Sequence, residues 1–406
     1  MIKLNVVIGA NYGDEGKGLV TNYLTTKYDS GIILLNNGGA QRGHTVETKN
    51  GFRHVFHHFG STVNPNFISH CTFNYIVNPA ICMQEYYELI DKLQFSPKMT
   101  VSHKAIVSTP FDMMLNQMIE LNRKDEKHGS VGVGIWETLC RHKVLPLFYE
   151  DTKFQTVEFR NAIINYFLEK LDEYDISNDI QKQFLSDLDL NKLYGRFAFD
   201  LIQMKNKFPM LGTGKIFFDT KKRSEEFNVD FNNIIIENGQ GLLLDQTCDV
   251  KHATPSYTGL FGVKEFLNAV IPEDFSLTAH YVSRSYLTRH GAGSMENEVN
   301  KSDISDKLFD KTNVYNDYQG ELRYGKLNGK KLKKRIENDI KKFKAPYDKI
   351  YNWHIRRLGT FQTNLYLTHL NEVDYNYIDI VDECSELGDI YVSDDIYPES
   401  IIKCKG

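Results

Sequence analysis

Short, nearly uninterrupted apolar runs recur along the chain at 4–8, 32–35, 75–77, 234–236, 277–282 and 365–370, and the stretches between them carry apolar residues at helical spacing. A strand covered on one face alternates apolar and polar residues, whereas a strand covered on both reads as a continuous run. The pattern predicts an α/β protein with a central, largely parallel sheet flanked by helices and with functional loops at the strand ends. Residues 152–205 lack proline and repeat apolar positions every three or four residues, which predicts a helical insertion within a single domain spanning 1–406. The polar stretch 219–233 reads as a surface connection. Residues 328–343 read as an amphipathic helix, with Leu332, Ile336, Ile340 and Phe343 on one stripe and the lysines on the solvated face.

Composition narrows the function classes. With 41% hydrophobic and 25% charged residues the chain is of ordinary globular type, and a net charge of −5 supplies no basic field for nucleic acid. No apolar run approaches a membrane span and nothing at the N-terminus resembles a signal peptide, so a cytoplasmic protein without nucleic-acid or membrane partners is expected. Six cysteines without CxxC spacing argue against a zinc site or a disulfide framework and fit a reducing compartment. In "RHVFHH" (53–58), His54, Phe56 and His58 would share one strand face with His57 opposite; a metal there would need ligands from elsewhere.

Chemistry concentrates in two glycine-rich loops. "GANYGDEGKGLV" (9–20) follows the first apolar run and leads into a helical pattern, which predicts a strand, a glycine turn and a helix start. Backbone N–H groups at a helix N-terminus face an anion, and Lys17 adds a positive charge. The loop departs from the GxxxxGK-Ser/Thr phosphate-binding pattern, because Gly9 lies seven residues before Gly16, Gly18 follows Lys17, and Asp14 and Glu15 are acidic. A carboxylate beside phosphate needs a metal or a proton transfer to compensate it. The second loop, "NNGGAQRGHTVE" (36–47), brings His44, an imidazole able to donate to a phosphoryl oxygen.

Together the GDEGKG and GHT loops resemble the adenylosuccinate synthetase family, whose pattern is WGDEGKGK followed by NGGxNAGHT. Three further motifs follow in order: "GSVGVGIWE" (129–137) resembles GTTGRGIGPxYE, "ENGQGLLLD" (237–245) resembles EGAQGTLLD, and "LTRHGAGSMENE" (287–298) resembles STRVGAGPFPTE. The resemblance implies a fold related to the P-loop GTPases, a cytoplasmic homodimer, and ligation of L-aspartate to IMP with GTP and Mg²⁺. By the same resemblance Asp14 would take the purine N1 proton and ligate Mg²⁺ with Gly43. His44 would steady the transferred phosphoryl group, and Gln240 would hold the 6-oxygen. Gly13, Glu15, Gly16, Lys17, Gly18, Gln41, Thr45, Ser130, Val131 and Thr258 would contact nucleotide or phosphate. Arg141 matches an arginine that the family donates across its dimer interface, and Arg323 and His290 would face the amino acid.

The departures bear on substrates. The family's TKLD appears here as "THLN" (368–371), so His369 and Asn371 would meet the base of the triphosphate. An asparagine offers adenine one donor and one acceptor, where an aspartate accepts twice from guanine. ATP and GTP therefore both stand as phosphoryl donor. Phage relatives that act on dGMP with ATP or dATP share that asparagine but typically lose the catalytic aspartate, and Asp14 is present here. IMP or dIMP is the expected acceptor, with dGMP the alternative. The aspartate loop TTGRRRRTGWLD has become "YQGELRYGKLN" (318–328), and Arg323 is its one clear arginine. A nucleotide-binding protein without ligase activity is therefore the remaining alternative.

Overall fold

The computed structural model describes residues 2–212, 220–248, 254–270, 274–308, 310–313, 315, 317–345, 357–374 and 376–404. Its frame is a nine-stranded sheet: β1 (Ile2–Gly9), β2 (Gly31–Leu35), β3 (Phe67–Cys71), β4 (Lys98–Val101), β5 (Asn233–Gly241), β6 (Phe275–Arg284), β7 (Leu358–Thr368), β8 (Asp389–Val392) and β9 (Ile402–Lys403). The spatial order is β9-β8-β7-β6-β1-β5-β2-β3-β4. Every neighbouring pair is parallel except β8–β9.

The continuous apolar runs have the cause expected of them, because the strands that carry them, β1, β2, β5, β6 and β7, feed two cores. In β2, Ile33 and Leu35 enter one cluster while Ile32 and Leu34 enter the other. The first core packs against α1 (Lys17–Thr25), α2 (Pro79–Leu93), α3 (Pro110–Asn122), α5 (Val157–Glu173) and α7 (Leu190–Lys207); α4 (Ile135–Val144) and α6 (Asn178–Leu185) lie in the same layer of the chain. The second core is closed by α9 (Leu260–Val270), α10 (Gly329–Lys344) and α11 (Ile378–Cys384). In α10 the predicted stripe is observed, with Leu332, Ile336 and Phe343 fully buried.

One expectation is corrected, and two features are added to it. The run at 75–77 is not a central strand: Ile76–Val77 pairs only with Ile106–Val107 in a separate two-stranded ribbon. The connection at 219–233 contains a helix, α8 (Thr220–Phe227). Strand β3 and the edge strand β4 carry no clean apolar run, because His70 and Thr100 hydrogen-bond across them at 2.8 Å and so bury polar groups with satisfied partners. Of the three histidines near 53–58, His54 and His58 flank Glu85 at 3.6 and 3.7 Å. That carboxylate is committed to the backbone N–H groups of His57 and His58. Among the described residues no group of three His, Cys, Asp or Glu is arranged to hold a metal ion.

The chain leaves β1 toward β2 on one side, and β6 and the strands after it lie on the other, so the crevice of a parallel sheet opens at the C-terminal end of β1.

Candidate active site

The loop leaving β1 turns sharply before α1. Gly13 and Gly16 have φ of +95° and +89°, and Asp14, which has a side chain, adopts φ +56°. Such a conformation costs a non-glycine residue about 1 kcal/mol or more and persists where the surroundings hold it. Here Arg284, at the end of β6, donates from Nε to the carbonyl oxygen of Asp14. The Asp14 carboxylate is partly exposed, and among the described residues no hydrogen bond reaches it.

Glu15 and Lys17 turn inward beneath the loop. Glu15 accepts from the Asn11 backbone N–H at 2.7 Å and from its Nδ2 at 2.6 Å. Burial raises the Glu15 carboxyl to about 7, against the pull of Lys17, and burial also lowers the Lys17 ammonium. Lys17 Nζ and Glu15 Oε2 both lie against Gly9, where an added Cβ would come within 2.4 Å of the carboxylate. A raised folded value means that the native state prefers the protonated acid. That preference stabilises the fold fully below 4.5 and is lost as pH rises through about 7. Glu15→Gln keeps the acceptor for both Asn11 bonds and carries no charge. Its melting temperature relative to the parent should therefore climb between about pH 5 and about pH 8, by the equivalent of at most ~3 kcal/mol. A pH-independent difference in thermal unfolding would refute this.

The second loop is pressed against the first. Gly18 opens α1 so close to the strand His44–Glu47 that a Cβ there would lie 2.5 Å from the Thr45 carbonyl oxygen. Behind this contact sits Glu237 of β5, fully buried. It accepts from His44 Nδ1 at 2.6 Å and from the Ser61 hydroxyl at 2.5 Å, with Arg42 Nη1 at 3.3 Å. Burial pushes Glu237 up, but Arg42 and His44 outweigh it and hold the carboxyl at about 2. Burial lowers His44 to about 3 in spite of Glu237. The resting site therefore contains a charged Arg42–Glu237 pair and a neutral imidazole whose Nδ1–H is committed to the carboxylate.

These elements line one open cleft, shared by Asp14, Glu15, Gly16, Lys17, Gly18, Gly43, His44, Thr45, His369 and Asn371. Gln240, at φ +62°, lies beside Gly13, with its Oε1 3.9 Å from where a Gly13 Cβ would stand. His290 Nε2 is 3.8 Å from Asp14 Oδ2.

Several anticipated residues are engaged elsewhere. Arg141 is fully buried within the chain, where Nε donates to Asp112 at 2.9 Å and the other nitrogens to the Leu145 and Val107 carbonyls, so it is not placed on the surface of this chain. Arg323 makes a two-pronged pair with Glu298 and donates to the carbonyls of Gly291 and Gly293, so most of its guanidinium is engaged within the chain. Thr258 is buried with its hydroxyl on the Gly241 carbonyl at 3.0 Å, and the Ser130 hydroxyl donates to Asn116 at 2.8 Å. Neither Val131 nor Gln41 lines the cleft; Gln41 folds over Gly38 instead.

The geometry joins the two loops that sequence alone pairs only by analogy, and comparison with known proteins agrees. The adenylosuccinate synthetase family profile matches residues 6–338. The chain belongs to the adenylosuccinate synthetase family. Similar members include the adenylosuccinate synthetases of Acaryochloris marina (30% identical over 47% of this chain and 46% of that one) and Prochlorococcus marinus strain MIT 9215 (25% identical, 78% and 69%). The first of these matches thus spans about half of its relative's length. Among solved structures, the fully ligated adenylosuccinate synthetase of Plasmodium falciparum superposes with a TM-score of 0.69 at 16% identity, covering 99% of both chains. The succinoaminodeoxyadenylate synthetase of cyanophage S-2L, bound to dGMP and to dATP as an energy donor, gives 0.62 at 13% identity, covering 100% of this chain and 96% of that one. Both likenesses concern the fold.

Residues that sequence reading passed over complete the site. Glu237 stands in a quoted family motif, but its partners come from distant loops. Arg284 and Asp310, paired at 2.7 Å, line the cleft. Arg335, among the lysines of α10, turns inward to Asn11 Oδ1 at 2.5 Å.

Proposed function

We propose that the chain is a purine nucleotide ligase that joins L-aspartate to C6 of IMP or dIMP through a 6-phosphoryl intermediate, splitting GTP or ATP to the diphosphate and phosphate. The observation that carries this reading is the convergence of a carboxylate, a buried ammonium and a carboxylate-held imidazole on one cleft at the end of β1. Asp14 takes the proton from purine N1, which makes the 6-oxygen a nucleophile toward the γ-phosphorus. Lys17 and the N-terminal amides of α1 meet the phosphate charge. His44 holds its Nδ1–H on Glu237 and keeps a lone pair on Nε2, so a proton taken up from solvent together with the phosphate would be needed for Nε2 to donate to the phosphoryl oxygens. The Gln240 amide holds the 6-oxygen, and the amine of aspartate displaces phosphate from C6.

The free Asp14 carboxylate and the Gly43 carbonyl line the same cleft and are hard oxygen donors suited to Mg²⁺, with phosphate oxygens and water completing the shell. When bound, the ion would neutralise charge on the triphosphate. With Arg141 and Arg323 engaged within the chain, this reading assigns the hold on aspartate to other groups and gives Arg141 no cross-subunit role in the proposed homodimer.

A second reading, 2-aminoadenylosuccinate formation from dGMP with ATP or dATP, is favoured by Asn371 in the cleft and by the ligands of the S-2L relative. One assay separates them: phosphate release with IMP, dIMP, GMP and dGMP against GTP, ATP and dATP, with and without L-aspartate. Aspartate-dependent release with IMP or dIMP is expected. Turnover with dGMP alone replaces the first reading by the second, and silence in every combination removes ligase activity altogether. In the same assay Asn371→Asp should move donor preference toward GTP by about tenfold or more; an unmoved preference would mean that this side chain does not read the base.

A further inference from the structure

The bend at 310–313 is tied to both sides of the cleft. Asp310 accepts through Oδ1 from the backbone N–H groups of Thr312 and Asn313, each at 2.9 Å, and so folds the chain tightly around Lys311. Its Oδ2 accepts from Asn313 Nδ2 at 2.8 Å and from Arg284 Nη2 at 2.7 Å, which fastens the bend to the end of β6. On the opposite side the Thr312 hydroxyl accepts from Arg53 Nη2 at 2.7 Å and lies 3.1 Å from the Thr45 hydroxyl. Thr45 follows His44 directly, and Arg284 holds the carbonyl oxygen of Asp14. The bend therefore takes its position from both glycine loops.

Lys311, inside that bend, is exposed and lines the cleft together with Lys17, Gly43 and His44. Among the described residues it makes no hydrogen bond or ion pair. The other cations of the cleft are engaged within the chain: Arg284 donates to Asp14, Tyr286 and Asp310, and Lys17 is buried beside Glu15. Against these stand six carboxylates, those of Asp14, Glu15, Glu47, Asp310, Glu372 and Asp395. A cleft lined in this way repels an anion unless a cation meets it, and none of the six pairs with Lys311. An ordinary solvated lysine makes no demand on the backbone around it. Here the residue on each side of Lys311 is fastened to a loop of the site.

We infer that Lys311 is a substrate-anchoring cation, whose ammonium meets an anionic oxygen carried into the cleft beside His44. The inference rests on the ligase reading given above. Two ligands carry such an oxygen: the terminal phosphate of the triphosphate and a carboxylate of the amino acid. The contact between Thr312 and Thr45, next to the imidazole that would face the phosphoryl group, favours the phosphate.

The test compares the parent with Lys311→Met, which keeps the reach of the side chain without its charge, and Lys311→Arg, which keeps the charge. Calorimetry in the presence of Mg²⁺ gives Kd for ATP, GTP, ADP, GDP and L-aspartate, and steady-state kinetics gives KM for each substrate. Lys311→Met should weaken the ligand concerned by about tenfold or more, and Lys311→Arg should recover most of that loss. Melting temperature without ligand should stay unchanged, because the ammonium has no partner in the chain. A loss confined to the triphosphates assigns the terminal phosphate, and an equal loss for diphosphates moves the contact to the inner phosphates. A rise in KM for aspartate with nucleotide Kd unchanged assigns the carboxylate. Values within twofold of the parent throughout, or a loss that Lys311→Arg shares in full, overturn the inference. The parent's own turnover tests the ligase reading separately. In an inactive parent the Kd comparison alone decides for Lys311, and a parent that binds none of these ligands sinks the inference.

Discussion

Asp14→Asn should lower kcat/KM by about 10³-fold, within the 10²–10⁴ range of general-base removals, while leaving the protein folded. The substitution is chosen for the backbone. Asparagine tolerates the left-handed region better than most residues, so φ +56° is retained and the carbonyl remains available to Arg284. Because the carboxylate is partly exposed and receives no protein hydrogen bond among the described residues, replacing it removes basicity and charge without leaving a buried partner stranded. Melting temperature should move by no more than about 2 °C, whereas triphosphate affinity in the presence of Mg²⁺ should weaken, because the same carboxylate is a proposed metal donor. Steady-state kinetics with thermal unfolding on one preparation checks both halves. A rate within tenfold of the parent would remove Asp14 from the chemistry.

Glu237→Gln should be the most destabilising single change at the site. The carboxylate is fully buried and serves Arg42, His44 and Ser61 at once. Its loss leaves the Arg42 guanidinium, only 2% exposed and otherwise donating to the Phe59 carbonyl, without a counter-charge. Breaking a buried pair in this way costs about 3–5 kcal/mol. Turnover should fall as well, by ~10²-fold or more, because nothing then fixes the His44 tautomer. The double variant Glu237→Gln with Arg42→Gln separates the effects: it removes the stranded charge and should regain stability without regaining rate. If single and double variants are equally stable in denaturant unfolding, the ion pair is not what the carboxylate is for.

Much of the frame could be read from the sequence, because burial on both faces writes itself as uninterrupted apolar runs, and β1, β2, β5, β6 and β7 each contain one. The strands that escaped reading, β3 and β4, hold polar residues whose satisfaction is visible only once His70 and Thr100 are side by side. The glycine loops were legible for a related reason: their chemistry is local, carried by residues within a few positions of one another. Glu237 was not, since its three partners lie 176 or more residues away. Arg141 and Arg323 show the converse failure. Motif alignment assigns them ligands, but each finds a carboxylate within the chain, Asp112 and Glu298, that composition cannot reveal. Arg335 sits among lysines yet faces inward, which helical periodicity alone does not single out.

The placement of the first strand has a bearing on how the polypeptide is made. Ile2 pairs with Phe275 and Lys3 with Asn233, so during synthesis β1 lacks both lateral neighbours until well over two hundred residues have followed it. At about 5–20 residues per second that interval is of the order of ten seconds to a minute. Throughout it an apolar strand with two unpaired edges is exposed, and nascent chains released before β6 is complete should aggregate rather than fold.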